Sequence, residues 1–235
     1  MVYKWLNIIQ NKLLPSTCTL CGQKGQEQLA LCSECHKDLK FIGNSCIQCA
    51  LPIDNYDTAL ICGQCLQQPP AFDRSLCLFT YETPAKQLIL SLKFRNKLAN
   101  ARLLGKLLGQ SVKHQAEELP DCILPVPLSR QRIRERGFNQ SLELSRPVSR
   151  LLDIPIEQRL LKRIRHTPAQ SQLKLPQRHD NILNAFQIEQ QEVPAYIAIV
   201  DDVMTSGSTC HEIARRLKEA GAKRVDVWCI ARAIK

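Results

Sequence analysis

Two hydrophobic periods succeed one another along most of this chain. From Ser75 onward, short continuous apolar runs alternate with segments whose apolar residues return every three to four positions. Ser75 to Tyr81 is predicted as a strand, Pro84 to Phe94 as a helix opened by proline, and Leu98 to Val112 as a second helix. Asp121 to Val126 is predicted as a short buried strand and Asn139 to Leu152 as an amphipathic helix. Tyr196 to Val200 is a continuous, partly β-branched strand, followed by two acids, a Thr/Ser/Gly turn and a helix from Ser208 to Ala220 that stops at Gly221. Val225 to Ala231 is the next strand. Apolar strands alternating with helices predict an α/β domain, a parallel sheet covered on both faces.

The first 68 residues read differently. They hold eight of the twelve cysteines, few long periodic runs and many short polar connectors, and Pro69-Pro70 closes them. A division at residues 1–70 and 71–235 is expected. The stripe Val2, Leu6, Ile9 and Leu13 predicts an N-terminal helix that packs on its own domain. It lacks the continuous apolar stretch of a signal peptide, and no apolar run is long enough to span a bilayer. The cysteines fall in four CxxC pairs: Cys18/Cys21, Cys32/Cys35, Cys46/Cys49 and Cys62/Cys65. A two-residue gap lets both sulfurs of a tight knuckle reach one ion, and two pairs complete a tetrahedral site. Four pairs therefore predict two structural zinc ions in a reducing compartment, placing the protein in the cytoplasm. Spacing favours sequential sites and leaves a cross-braced pairing open. Gly22, Gly63 and Asn44 are the expected positive-φ residues beside the knuckles. His36 is read as a neighbour rather than a ligand, and Cys77, Cys122, Cys210 and Cys229 as buried small hydrophobes.

Charge adds a second feature. The formal net charge is +10, and between Leu128 and Asp180 twelve bases face five acids, a local excess of +7. An anionic partner is expected there. Arg130, Arg132, Arg134 and Arg136 recur every second residue, which puts them on one face if extended and scatters them if helical.

The strongest chemical signal is Ile197 to Thr209. A buried parallel strand brings Asp201 and Asp202 to the carboxyl edge of the sheet, where open α/β sheets bind ligands. The turn after it offers backbone N–H groups, a helix terminus and the hydroxyls of Thr205, Ser206, Ser208 and Thr209 around Gly207, which suit a phosphate monoester. Carboxylates beside a phosphate need a different partner, and a vicinal ribose diol donates two hydrogen bonds to them.

This stretch closely resembles the 5-phosphoribosyl 1-diphosphate motif of type I phosphoribosyltransferases. Leu124-Pro125-Val126-Pro127, Arg136-Gly137-Phe138-Asn139-Gln140 and the later Arg163, Thr167, Gln170, Arg178, Asn181 and Phe186 are similar to the ComF family of competence-associated proteins, which also begins with a cysteine-rich zinc module. Lys93-Phe94-Arg95-Asn96 departs from that pattern in carrying Asn where glycine is common. The resemblance implies a type I phosphoribosyltransferase-like parallel sheet preceded by a small zinc-ribbon-type domain. Asp201 and Asp202 would hold the ribose and Thr205 to Thr209 the 5-phosphate; Arg136, beside Gly137 where the backbone can approach closely, is expected to contact the ligand or a phosphate. Mg²⁺ would bridge diphosphate and ribose oxygens. It also implies a link to natural transformation, with single-stranded DNA and competence-machinery proteins at the inner membrane as partners; Arg130, Arg132 and Arg134 read as a solvated basic surface that could attract the DNA phosphates. Phe138 is the one aromatic in the basic segment, so electrostatics rather than base stacking would dominate. Three roles stay open: a DNA-handling protein that binds the phosphoribosyl ligand, a transferase acting on a nitrogen acceptor, and a ligand sensor without turnover. Only Thr167 to Gln177 offers a loop that could read an acceptor.

Overall fold

The computed structural model describes residues 16–26, 29–53, 60–165 and 182–234. The predicted N-terminal helix and Thr167, Gln170, Arg178 and Asn181 lie outside these residues. Two short helices, α1 (Ser33–Lys37) and α2 (Gly63–Gln67), belong to the cysteine-rich part. The elements that follow are β1 (Arg74–Thr80), α3 (Ala85–Arg95), α4 (Leu98–Gln115), β2 (Cys122–Pro125), α5 (Arg130–Arg136) and α6 (Gln140–Leu152). The chain then runs through β3 (Leu161–Arg163), β4 (Phe186–Ile188), β5 (Tyr196–Met204), α7 (Ser208–Glu219) and β6 (Arg224–Arg232).

Four strands form one all-parallel sheet in the order β1-β6-β5-β2. Strand side chains alternate between faces, so each strand serves two cores. Ala198, Val200, Trp228 and Ile230 join α3, α4 and α6, whereas Ile197, Ile199, Val225 and Val227 join α7 and the antiparallel pair β3-β4. Apolar runs without alternation are the sequence sign of this two-sided burial. Helices α4 and α6 approach closely at Gly105, where a Cβ would lie 2.4 Å from the Leu144 carbonyl oxygen and from Pro147. Cys77, Cys122, Cys210 and Cys229 are buried, as expected.

Both sheet edges are covered, which blocks edge-to-edge pairing. Ile42 N donates to Leu78 O and Thr80 N to Lys40 O, so the cysteine-rich part adds backbone to the free side of β1. Leu31, Cys32 and Leu39 bury into the same core as α3 and α4. At the other edge, Ile123 exchanges bonds with Pro155 and Glu157.

The structure decides one alternative left open by the sequence and departs from the sequence reading at two other places. The segment of alternating arginines is a helix: Ser129 Oγ accepts from Arg132 N at its start and Gly137, at φ 81°, ends it. The arginines are therefore scattered around α5 rather than aligned. Strand β5 runs to Met204, so Asp201 and Asp202 lie within the strand itself. The pair β3-β4 has no counterpart among the predicted elements, because three-residue strands carry no detectable period.

Candidate functional site

The cysteines form two sets, Cys18/Cys21/Cys32/Cys35 and Cys46/Cys49/Cys62/Cys65, with the ligand atoms of each within 4.8 Å of one another. The pairing is sequential. Cys21 Sγ lies 3.6 Å from Cys32 Sγ, and Cys49 Sγ 3.6 Å from Cys62 Sγ. A tetrahedron with bonds of about 2.3 Å spaces its sulfurs about 3.8 Å apart, so each set fits one zinc ion. The two halves repeat one design. Gly22 N donates to Cys18 O and Ala50 N to Cys46 O, with Gly22 at φ 78° and Ala50 at φ 54°. Ala50, rather than Gly63 or Asn44, takes the left-handed turn, since it is the residue that follows the second cysteine of its knuckle. Burial alone would raise the thiols, yet backbone N–H groups from Cys21, Cys32 and Leu20 bring Cys18 down to about 6. Those of Cys62, Cys49 and Gln48 outweigh burial at Cys46 and bring it to about 7. Cys21, Cys35, Cys49 and Cys65 are raised, largely by burial and by their sulfur neighbours, so each set has one thiol that ionises readily and others that would lose their protons to a bound ion. His36 packs against Phe41 and belongs to neither set.

The second site is a cleft of about 600 Å³ at the carboxyl edge of the sheet. Strand β2 ends at Pro125, paired with Val200, so β5 carries Asp201 and Asp202 past its neighbour into the open edge. Asp202 is buried, and its Oδ2 lies 2.6 Å from Lys93 Nζ. Asp201 Oδ1 accepts from Ser141 Oγ at 3.0 Å and from the Asp202 amide at 2.9 Å. Burial, then the neighbouring Asp202, push Asp201 up to about 6, with Lys93 opposing them. Two acids, one cation and one hydroxyl donor leave carboxylate oxygens available to a diol or a hydrated cation.

The cleft also has a basic lining. Arg132, Arg136 and Arg163 line the cleft with Gln140, Tyr81 and Phe94. Arg136 donates to Gln140 Oε1 and sits 5.9 Å from the centre of the Phe94 ring. Burial, with Arg132 nearby, lowers Arg163 to about 10, which leaves it cationic at neutral pH. The stretch Arg136 to Gln140 now has a physical reading. Gly137 caps α5 in the left-handed region, Asn139 caps α6 by accepting from Ser141 N and donating to Val126 O, and Gln140 holds Arg136. Gly137 has open space where a Cβ would be, so within the protein its requirement is the left-handed φ.

Thr205 and Thr209 line this cleft, but Ser206, Gly207 and Ser208 line a separate cavity of about 370 Å³ against the second cysteine set. Ser206 Oγ and Ser208 Oγ lie 2.8 Å apart. Gly207 has φ 76°, and a Cβ there would meet nothing closer than 3.8 Å, so its requirement is conformational rather than steric. Arg130 and Arg134 are exposed and outside the cleft, whereas Arg132 lines it. Lys93 is a site residue that the sequence pattern does not single out. It lies near the end of α3, more than a hundred residues before Asp202, and only the Lys93-Phe94-Arg95-Asn96 stretch hints at it. In that stretch Asn96 takes the left-handed cap at φ 52°, the conformation expected of the glycine it replaces.

Residues 9–77 match the double zinc ribbon domain family. Among solved structures, the chain is similar to a glutamine phosphoribosylpyrophosphate amidotransferase from B. subtilis, at 23% identity and TM-score 0.37 over 55% of this chain and 25% of that one. It is also similar to a purine phosphoribosyltransferase from Pyrococcus horikoshii, at 20% identity and TM-score 0.34 over 55% of this chain and 70% of that one. A protein from Escherichia coli O157:H7 named DNA utilization protein YhgH is 37% identical over 94% of this chain and 99% of its own length. Competence protein F of Haemophilus influenzae is 39% identical over 86% of this chain and 90% of its own length. Identity at that level across nearly the full length of both proteins leaves one assignment: the chain belongs to the competence protein F, or ComF, family.

Proposed function

We propose that this protein binds 5-phosphoribosyl 1-diphosphate with Mg²⁺ in the cleft and handles incoming single-stranded DNA in the cytoplasm during natural transformation. The observation that carries the ligand assignment is that Asp201, Asp202, Thr205 and Thr209 line one cleft together with Arg132, Arg136 and Arg163. Asp201 and Asp202 accept from the ribose hydroxyls, the loop holds the 5-phosphate, and Arg136, with Arg132 and Arg163, faces the diphosphate. Mg²⁺ would neutralise charge on the diphosphate, with Asp201 and Asp202 as the nearby carboxylates. The DNA role is supported by the names of the relatives, competence protein and DNA utilization protein, and by exposed Arg130 and Arg134 on α5. Competence-machinery proteins at the inner membrane are the proposed protein partners. Among the described residues, no helix is long and apolar enough to cross a membrane.

A second reading, transfer to a nitrogen acceptor, is favoured by Phe94 and Tyr81, which give the cleft an aromatic wall for a flat ring; Phe94 is 71% exposed. Calorimetric titration of the diphosphate sugar with and without Mg²⁺ tests the ligand, and diphosphate release in the presence of nucleobases tests turnover. Asp201→Ala/Asp202→Ala loses charged hydrogen bonds of about 1.5–3 kcal/mol each and weakens binding at least about tenfold, while simple anion binding persists. Gly207→Val loses both, through its left-handed φ. Wild-type binding by both variants refutes the assignment.

A further inference from the structure

We infer that the second zinc ribbon is part of the ligand site, with Arg232 as the positioning residue that fastens it to the phosphate loop. Arg232 ends β6 and is 5% exposed. Its guanidinium binds four backbone carbonyls. Nε donates to Cys49 O at 2.8 Å, while Nη1 donates to Met204 O at 3.2 Å, to Ala233 O at 2.8 Å and to Thr205 O. Cys49 is one of the four sulfur donors of the second set, and Met204 and Thr205 lead directly into the loop. One planar cation thus joins a metal knuckle to the start of the phosphate cradle. The orientation of the Cys49 carbonyl belongs to the knuckle, where Ala50 turns left-handed and returns its N–H to Cys46 O at 2.8 Å. That turn is held shut when Cys46 and Cys49 share an ion.

The chain leaving the ribbon is laced to the same place. Ala71 N donates to His211 Nδ1 at 3.1 Å, on the first turns of α7. Phe72 is 2% exposed and lies against Gly207, the one left-handed residue of the loop. Asp73 accepts from Lys218 at 2.7 Å and from the Val225 amide at 2.8 Å. The first ribbon is attached elsewhere: Thr19 Oγ1 bonds Asn100 on α4 at 2.7 Å, and Leu31 and Cys32 pack with α3 and α4. The two ribbons have the same ligand chemistry and different neighbours, which makes the first an internal control for the second.

This inference rests on the ligand reading proposed above, and the test separates the two. Cys46→Ser, Cys18→Ser, Arg232→Lys and Arg232→Gln are made in the full chain. Zinc content, affinity for 5-phosphoribosyl 1-diphosphate and for inorganic phosphate, and amide exchange across residues 205–209 are then measured. Cys46→Ser and Cys18→Ser each lose about one zinc ion per chain, but only Cys46→Ser weakens both ligands, by about tenfold or more. Arg232→Gln keeps both ions, weakens both ligands to the same degree and speeds exchange in the loop, with exchange in α4 and α6 unchanged. Arg232→Lys, whose single ammonium cannot span both sets of carbonyls, falls between Arg232→Gln and wild type. If Cys46→Ser does not fold, Arg232→Gln and the exchange pattern decide alone. Wild-type affinity and loop exchange in Arg232→Gln, or equal losses in Cys18→Ser and Cys46→Ser, overturn the coupling. Absence of diphosphate-sugar binding by the wild type refutes the ligand reading instead, and phosphate affinity and loop exchange still test the coupling.

Discussion

Lys93→Met removes the cation paired directly with Asp202 in the cleft. Lys93 Nζ lies 2.6 Å from Asp202 Oδ2, and the two side chains are only 19% and 5% exposed. Burial alone would lower the Lys93 ammonium, but Asp202, then Asp201, more than offset it and leave it raised. Without Lys93, the buried Asp202 loses its ion-pair partner beside the half-buried Asp201. Breaking a buried pair from one side costs about 3–5 kcal/mol, which for a chain of this size lowers the melting temperature by roughly 10 °C. The deficit depends on pH in a defined direction. A proton can replace the lost cation, so the variant is most destabilised near pH 8 and least near pH 5. Thermal melts of wild type, Lys93→Met, Asp202→Asn and the double variant at both pH values measure this. The double variant should lie above Lys93→Met, because Asp202→Asn removes one of the stranded charges, with a coupling of at least about 1 kcal/mol. A Lys93→Met protein within about 0.5 kcal/mol of wild type at both pH values, or one whose deficit grows in acid, refutes the reasoning.

Three further outcomes are expected. Purified protein should carry about two zinc ions per chain, and Cys32→Ser about one, by elemental analysis; freshly reduced protein without zinc would remove the metal assignment. Arg130→Ala/Arg134→Ala should flatten the plot of log single-stranded DNA affinity against log salt, by about 0.7 for each phosphate no longer neutralised, and leave 5-phosphoribosyl 1-diphosphate binding unchanged. Arg132 is left intact in that test because it lines the cleft; an unchanged slope counts against α5 as the DNA surface. Asp201, pushed by burial and Asp202 from 3.8 to about 6, stabilises the fold in its protonated form, so its contribution is complete below the usual carboxylate value and lost as pH rises through about 6. Denaturant midpoints at pH 5 and pH 7 should therefore differ less in Asp201→Asn than in wild type, and an identical difference in the two proteins would refute the titration.

Much of this protein is written locally. Four CxxC pairs specify two thiolate sites because both sulfurs of a knuckle come from residues three apart, and strand, two acids and a Thr/Ser/Gly turn mark the proposed ligand site within thirteen consecutive residues. Two-sided burial of the sheet is equally legible, since its strands are apolar without alternation. Ser129 and Gly137 also mark α5 as a helix, but the every-second-residue spacing of the arginines competes with those caps. Tertiary structure alone decided which cysteine pairs share a site, that Lys93 meets Asp202, that Arg163 and Arg136 line one cleft, and that Thr205 and Thr209 face one cavity while Gly207 faces another. It also decided that Arg232 reaches back to Cys49, 183 residues earlier. Periodicity and short motifs report on neighbours along the chain; contacts between distant residues depend on how whole elements pack, and no short stretch of sequence contains that information.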